Sequence, residues 1–236
     1  MSNGIKILLA PPSYDKGLPK SLPYANGSGY LPFPLDKFQR DMRASFSAAG
    51  LKIVDGFFDR KSKYYPKHLD MLVLAIEAAP DFFNGVPAYD IGRVYGMSYE
   101  IVGSIIAERE RIGEFEFHYY TKVFVIEELW NSGLAGKMIH AIKEMKIPGM
   151  LKTSKPENHA RYAKHSDITE KIGPYYFHGF DFVDKKTGQE KFLGARSKFY
   201  AAARHIVENK PVTALPVQSE VAMNSNLPLF PNQNLY

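Results

Sequence analysis

Between Glu114 and Lys146 the hydrophobic period of the chain changes from two to 3.6, and this change limits the possible folds more than any other feature. Glu114–Glu127 is dense in Phe, Tyr, Thr and Val and reads as a strand. Leu134–Lys146 sets Leu134, Met138, Ala141, Ile142 and Met145 on one helical face, with Lys137, His140, Lys143 and Glu144 opposite. Only a short segment joins the two, so a buried strand must turn directly into an amphipathic helix. That is an α/β unit.

The turn itself has chemistry. Gly133, Ala135 and Gly136 are small, and small residues let a ligand come close to the backbone. The first amides of a helix lack internal acceptors and lie at the positive end of its dipole. Together these features can hold a phosphate without any side chain, with Lys137 adding charge near the mouth. The same pattern also serves as plain chain reversal, so the turn alone leaves both readings open.

Elsewhere the elements are shorter. Ile5–Ala10 reads as a strand stopped by Pro11 and Pro12, and residues 11–34 as a long surface loop. Asp36 is placed to cap a helix that ends at Gly50, and Leu51–Phe58 to form a strand. Pro66–Ala79 carries helical spacing (Leu69, Leu72, Val73, Ile76) and strand alternation (Leu72, Leu74, Ile76); helix is the preferred reading. Pro80–Pro87 is a turn-rich link. Tyr99–Glu110, Met150–Thr153 and Tyr175–Val183 are expected as strands, and Glu157–His165 and Ala195–Glu208 as helices. Lys185–Gly188 is a hairpin-type turn leading into Glu190–Leu193. The expectation is a single domain over 1–210, followed by an extended Pro- and Asn-rich tail over 211–236.

Composition narrows the chemistry. The 236 residues contain no cysteine, which excludes disulfides, zinc–thiolate sites and a Cys nucleophile. No His pair has ligand spacing, so no metal is expected; no Ser lies in a Gly-x-Ser-x-Gly elbow, which argues against an ordinary hydrolase, and there is no P-loop. Thirty Lys and Arg against 25 Asp and Glu give a net charge of +5, which suits an anionic ligand, a nucleic acid or neither. The basic stretch Lys155–Lys171 is expected to be a solvated helix face, with contact to an acidic substrate or nucleic acid as the second reading. No apolar run reaches 18 residues, and the first residues are too short for a signal peptide, so no membrane span and a cytoplasmic location are expected; an exported mature form carrying an added Met would look the same.

Set in order, Val125, the loop Trp130-Asn131-Ser132-Gly133-Leu134-Ala135 and the following helix resemble the central motif of the GNAT superfamily of acyl-CoA-dependent N-acyltransferases. Trp130 stands where that motif carries Arg or Gln, and Glu127 where Pro is usual. Ile101–Gly113 is similar to the family's preceding hairpin, Asn158-His159-Ala160 to its Asn-x-Ala segment and Gly179-Phe180 to its closing Gly-Phe, so the resemblance spans about residues 99–184. It implies an α/β (α+β) fold with a mixed, mostly antiparallel central sheet flanked by helices. It implies acetyl-CoA, or another acyl-CoA, as co-substrate and a small-molecule or protein amine as acceptor. Val125 backbone would hold the pantetheine arm, Gly133, Ala135, Gly136 and Lys137 the pyrophosphate, and Asn158 would lie beside the cofactor. Tyr162 would protonate the leaving thiolate. Glu116 and His118, which alternate with Tyr120 along one strand face, would supply the base.

A second expectation belongs to another class. The order strand, helix, strand and later sheet is similar to small non-catalytic domains of envelope and secretion-associated proteins, which act through protein contacts; Leu134–Ile147 would then be a strand. A virion or assembly protein, or a homo-oligomer joined through the tail, follows the same line.

Overall fold

The computed structural model describes residues 4–10, 18, 21–23, 30–66, 69–78, 99–143, 145–210 and 214–216. In chain order the elements are β1 (Gly4–Ala10), β2 (Ser21–Pro23), β3 (Tyr30–Pro32), α1 (Leu35–Ala48), β4 (Leu51–Ile53), β5 (Leu69–Ala78), β6 (Glu100–Ile112) and β7 (Phe115–Val125). They continue with α2 (Leu134–Lys143), β8 (Gly149–Thr153), α3 (Pro156–Ala163), β9 (Ile168–Ile172), β10 (Tyr175–Phe180), α4 (Ala195–Asn209) and β11 (Ala214–Pro216), with a short 3-10 turn at Glu127–Leu129 after β7.

The seven-stranded sheet runs β1-β5-β6-β7-β8-β10-β9. Every neighbouring pair is antiparallel except β7 and β8, which are parallel. The fold class is therefore the expected one: mixed α/β, mostly antiparallel, with helices on the faces. Two small hairpin-like pairs, β2–β3 and β4–β11, stand apart from this sheet.

β5 corrects the expected helix across Pro66–Ala79. Met71 to Ile76 is apolar at every position. Leu72, Leu74 and Ile76 enter one core cluster, and Met71, Val73 and Ala75 enter another. A run buried on both sides gains more as a central strand than as a helix, whose outer face would meet water.

The helices divide the faces. On α1, Phe38, Met42 and Phe46 pack with Leu72, Leu74, Ile106 and Phe124. On the opposite face α2 buries Leu134, Met138, Ile139 and Ile142 against Val73, Ile105, Tyr120 and Leu151. α4 covers Phe117, Tyr119, Met150 and Phe177, on the α1 side of the sheet. α2 also rules out the strand expected for Leu134–Ile147 under the non-catalytic alternative; the four-residue spacing of its buried side chains fits a helix lying on a sheet.

Smaller departures have local causes. β4 stops at Ile53 instead of reaching Phe58, because the chain turns at Asp55–Phe58. α2 stops at Lys143, and Met145 beyond it is exposed. The expected loop over 11–34 contains the β2–β3 pair and the buried Leu18, whose amide donates to Tyr65 Oη at 3.0 Å. Apart from Ala214–Pro216, the 211–236 tail lies outside the described residues, as does the Pro80–Pro87 link.

Candidate functional site

β7 and β8 pair over only three residues, His118–Gly149, Tyr119–Met150 and Tyr120–Leu151. Beyond Tyr120 and Leu151 the strands are no longer paired. A bulge lies at this point: Ile106 faces Lys122 while Ala107 faces Tyr120, which leaves Thr121 as an extra residue whose Oγ1 donates to the Ile106 carbonyl at 3.2 Å. An extra residue bends and twists its strand. β7 thus turns away from β8 and opens a fork in the sheet.

The fork is the floor of a cleft of about 480 Å³. β7 lines it from Tyr119 to Val123 and at Val125, β8 and the chain after it from Leu151 to Lys155, α1 and its C-cap through Ser45, Phe46 and Ala49, and the α2 turn through Gly133 to Gly136. Asn158, Arg161 and Tyr162 of α3, then Lys164 and His165, close the remaining side. Ile126 donates its amide to Val102 at 3.0 Å, so antiparallel alternation turns the backbone of Val123 and Val125 away from β6 and into the fork. The Val125 carbonyl is already engaged there: Trp130 Nε1 donates to it at 2.9 Å and Ser45 Oγ at 2.6 Å.

At the start of α2, the Leu134 amide donates to Ser132 Oγ at 3.3 Å, and Lys137 is the first amide to reach a backbone carbonyl one turn back, that of Gly133 at 3.1 Å. Between them the amides of Ala135 and Gly136 have no acceptor among the described residues. Gly133 has φ +81°, a conformation that glycine adopts at little cost. Gly136 lies under the His165 ring: a Cβ there would be 2.5 Å from His165 Cε1, so any larger residue displaces that ring.

The charge of the cleft is one-sided. Lys122, Lys152, Lys155, Arg161 and Lys164 line it, and none of its described lining residues is Asp or Glu. Lys155 is tied back to α1, where its ammonium contacts the Ala49 carbonyl and lies 3.4 Å from that of Gly50, a cation at a helix C-terminus. Lys122 is 5% exposed, and its ammonium lies 5.5 Å from the ring centre of Phe46 and 5.3 Å from that of Phe57. Burial, with the Lys152 ammonium second, pulls Lys122 down to about 7. Burial also lowers Lys152. His165 is held below its usual range by burial and then by Lys185, Lys143 and Lys164. Burial pushes the Tyr162 phenol up to about 12.

The sequence-derived candidates separate into two groups. Val125, Gly133, Ala135, Gly136, Asn158 and Tyr162 all line the cleft. Lys137 is exposed on the outer side of α2, in a shallow depression with Ile7, His140 and His165. Glu116 and His118 do not line the cleft. Glu116 is exposed and pairs with Arg109 at 3.8 Å. His118 is fully buried, bonds Asp70 Oδ2 through Nε2 at 2.7 Å, and lies on the paired side of the fork. Sequence reasoning did not single out Ser45, Lys122 or Lys152, and it took Arg161, Lys164 and His165 for a solvated face. A lysine within an otherwise apolar and aromatic strand was the available signal for Lys122.

No protein-family model matches the sequence, and no curated protein matches it. In structure the chain is similar to solved GNAT acetyltransferases. NAA60 of Arabidopsis thaliana, solved with acetyl-CoA, shares 13% identity over 74% of this chain and 99% of that one, with a TM-score of 0.42. A protein from Bacteroides thetaiotaomicron ascribed to the GNAT family shares 14% identity over 65% of this chain and 77% of that one, with a TM-score of 0.29. A chain of the NatC complex, bound to Gag peptide and CoA, shares 15% identity over 74% and 96%, with a TM-score of 0.35. Among the described residues no group of His, Asp and Glu is arranged to hold a metal ion, and no helix is long and apolar enough to cross a membrane.

Proposed function

We propose that the chain is an acyl-CoA-dependent N-acyltransferase that moves an acyl group, acetyl in the simplest case, from the CoA thioester to an amine. The observation that carries this reading is the fork: a parallel strand pair that parts after three residues, with basic side chains along its walls and, at one end, helix amides that have no acceptor among the described residues. A long, polyanionic cofactor with a thin amide-bearing arm matches such a space. Its pyrophosphate suits the Ala135 and Gly136 amides, with Arg161 and Lys164 nearby. Its arm suits the strand backbone at Val123 and the amide of Val125, since the Val125 carbonyl is engaged by Trp130 and Ser45.

The chemistry is direct attack. The amine nitrogen forms a bond to the thioester carbonyl carbon, the C–S bond breaks, and the thiolate leaves. The Tyr162 phenol stays protonated at neutral pH and is suited to give that thiolate a proton. Glu116 and His118 lie outside the cleft, which leaves the acceptor's proton to solvent. The positive field of the cleft assists, because like charge lowers the pKa of an ammonium.

The test is thermal unfolding with increasing acetyl-CoA. Binding to the folded state alone raises stability by about 2.7 kcal/mol at 100 times Kd. An unchanged melting temperature at millimolar acetyl-CoA overturns the proposal.

A further inference from the structure

We infer that Lys122 takes the proton that the acceptor ammonium must lose before attack, and that Glu108 is placed to steady the lysine once it is charged. The inference rests on the transferase reading and names the first carrier of the proton that the cleft returns to solvent.

The fold brings the lysine to the reacting end. A cofactor arm that starts at the Ala135 and Gly136 amides and runs back along Val125 and Val123 ends where the fork closes, beside Thr121 and Lys122. Lys122 lines the cleft. It stands opposite Ile106 and so shares the face that α1 covers. Its ammonium lies 5.5 Å from the ring centre of Phe46, itself a cleft residue, and 5.3 Å from that of Phe57. Val123 and Val125 pack toward the opposite face. An acceptor reaching the thioester from the α1 side passes Lys122.

Glu108 meets the lysine through the same register. It lies two residues beyond Ile106 on β6, hence on the same face and diagonal to Lys122, and it is buried. Its Oε2 accepts from Lys210 Nζ at 2.9 Å; Lys210 also pairs with Glu110, which His205 approaches at 3.6 Å. The groups around Lys122 therefore pull in two directions. Burial and then the Lys152 charge on β8 favour the neutral amine and bring it to about 7, while Glu108 favours the cation. From α1 and the turn after β4 the neighbours are the Phe46 and Phe57 rings, whose faces also attract a cation. A lysine so balanced holds either state near neutral pH, as a base requires.

The other titratable groups of the cleft are less suited. Lys155 is tied to the Ala49 carbonyl, and Arg161 keeps its proton. His165 lies against Gly136, at the phosphate end. Burial raises Tyr119 and Tyr120, so both phenols stay protonated. Lys152 belongs to the other strand of the fork, with its ammonium 4.7 Å from the ring centre of Tyr175, and is the rival that the experiment separates. The protons balance. The ammonium gives one to neutral Lys122, the nitrogen bonds the carbonyl carbon, the C–S bond breaks and the thiolate takes the Tyr162 proton. The nitrogen's second proton restores Tyr162, and Lys122 releases the first to solvent.

Two readouts test this. The first needs no acceptor: NMR titration of protein carrying 13C in its lysine side chains. One lysine is expected to titrate near pH 7, to vanish in Lys122→Gln, to move down in Glu108→Gln and to move up in Lys152→Gln. A Lys122 that titrates with the exposed lysines overturns the inference, as does one that stays put in Glu108→Gln. The second readout is thiol release from acetyl-CoA at pH 7.5 with two probe amines: benzylamine, mostly protonated there, and 2,2,2-trifluoroethylamine, mostly neutral. Lys122→Gln is expected to slow benzylamine roughly 100-fold and to leave the neutral amine nearly unchanged. Lys152→Gln is expected to produce no such split. Equal slowing of both amines by Lys122→Gln, or a split that follows Lys152 instead, overturns the inference. If acetyl-CoA binds and neither amine reacts, the titration decides alone. Failure of acetyl-CoA to bind removes the transferase reading, and with it the role of Lys122, whatever its titration.

Discussion

The indole N–H of Trp130 donates to the Val125 carbonyl at 2.9 Å, in the mouth of the fork, where β7 keeps β6 as a neighbour and is no longer paired with β8. Ser45 of α1 donates to the same oxygen at 2.6 Å. A strand that leaves its neighbour exposes backbone acceptors, and each one shut away from water needs a partner. The chain meets this need with a side chain from the α2 turn and another from α1, so the helix on each face is fastened to the end of the diverging strand. Trp130 stands where the GNAT motif carries Arg or Gln, and here its hydrogen bond serves the strand.

Trp130→Phe keeps an aromatic ring, smaller than the indole, and removes the donor. It is expected to cost about 1 kcal/mol of unfolding free energy, the net worth of one hydrogen bond, because Ser45 still serves the carbonyl. Urea unfolding measures it. A double variant with Ser45→Ala is expected to cost more than the sum of the two single changes, since it alone leaves the oxygen without a donor.

Ala135 lines the cleft one residue into α2, and its amide has no acceptor among the described residues. Ala135→Glu puts a carboxylate where a phosphate is expected, at a helix start that tolerates acidic residues well. Stability is therefore expected to hold while CoA affinity falls at least about tenfold, through competition for the amides and repulsion of the phosphates. Calorimetry with CoA and a thermal scan read the two quantities separately.

The strand-turn-helix unit was legible because its two periods are strong and its turn is short. β5 was not, since a run such as Met71–Ile76 satisfies helix and strand patterns alike, and only burial by α1 and α2 on opposite faces decides. The glycine turn that lines the cleft was legible from Gly133, Ala135 and Gly136, residues close in sequence. Lys122 and Lys152 did not follow, because they come from different strands and share the cleft only where β7 and β8 part. Glu116 and His118 do share a strand with the cleft. The fork begins after Tyr120, however, and both residues precede it, a boundary set by the bulge at Thr121 and invisible in the alternation.

His165 reports on the anion end. Burial and three lysines hold its pKa low, and its ring lies against Gly136. A bound pyrophosphate adds negative charge beside the ring and favours the protonated form. NMR titration is expected to show the His165 pKa rising when CoA binds, by a unit or so, and staying put in Ala135→Glu.

Acid should loosen the α3–β10 contact. His178 is fully buried, with Nδ1 3.4 Å from Ser166 Oγ and Nε2 3.3 Å from His159 Nδ1, and burial with His159 second pulls its pKa down to about 4. His118 is lowered by burial as well. In the unfolded chain both return to about 6.5, so there they bind protons that the folded chain refuses. Stability is expected to be full above pH 6.5 and to decline as pH falls toward 4. His178→Gln, which cannot titrate, is expected to flatten part of that slope in urea unfolding at pH 5 against pH 7.5.

Tyr162 offers the sharpest test of chemistry. Tyr162 lines the cleft from α3, and its ring packs with the α2 core and sits edge-on to His178, with centres 5.8 Å apart. Tyr162→Phe keeps this packing and removes only the hydroxyl. If the phenol protonates the departing thiolate, kcat is expected to fall about 100-fold, the lower range for loss of a positioned acid, with KM for acetyl-CoA and the melting temperature nearly unchanged. A leaving thiolate of lower pKa needs less help, so a CoA analogue with a more acidic thiol is expected to narrow the gap between variant and parent. If the variant turns over at the parental rate with both thioesters, Tyr162 only packs the cleft wall and the thiolate leaves unprotonated.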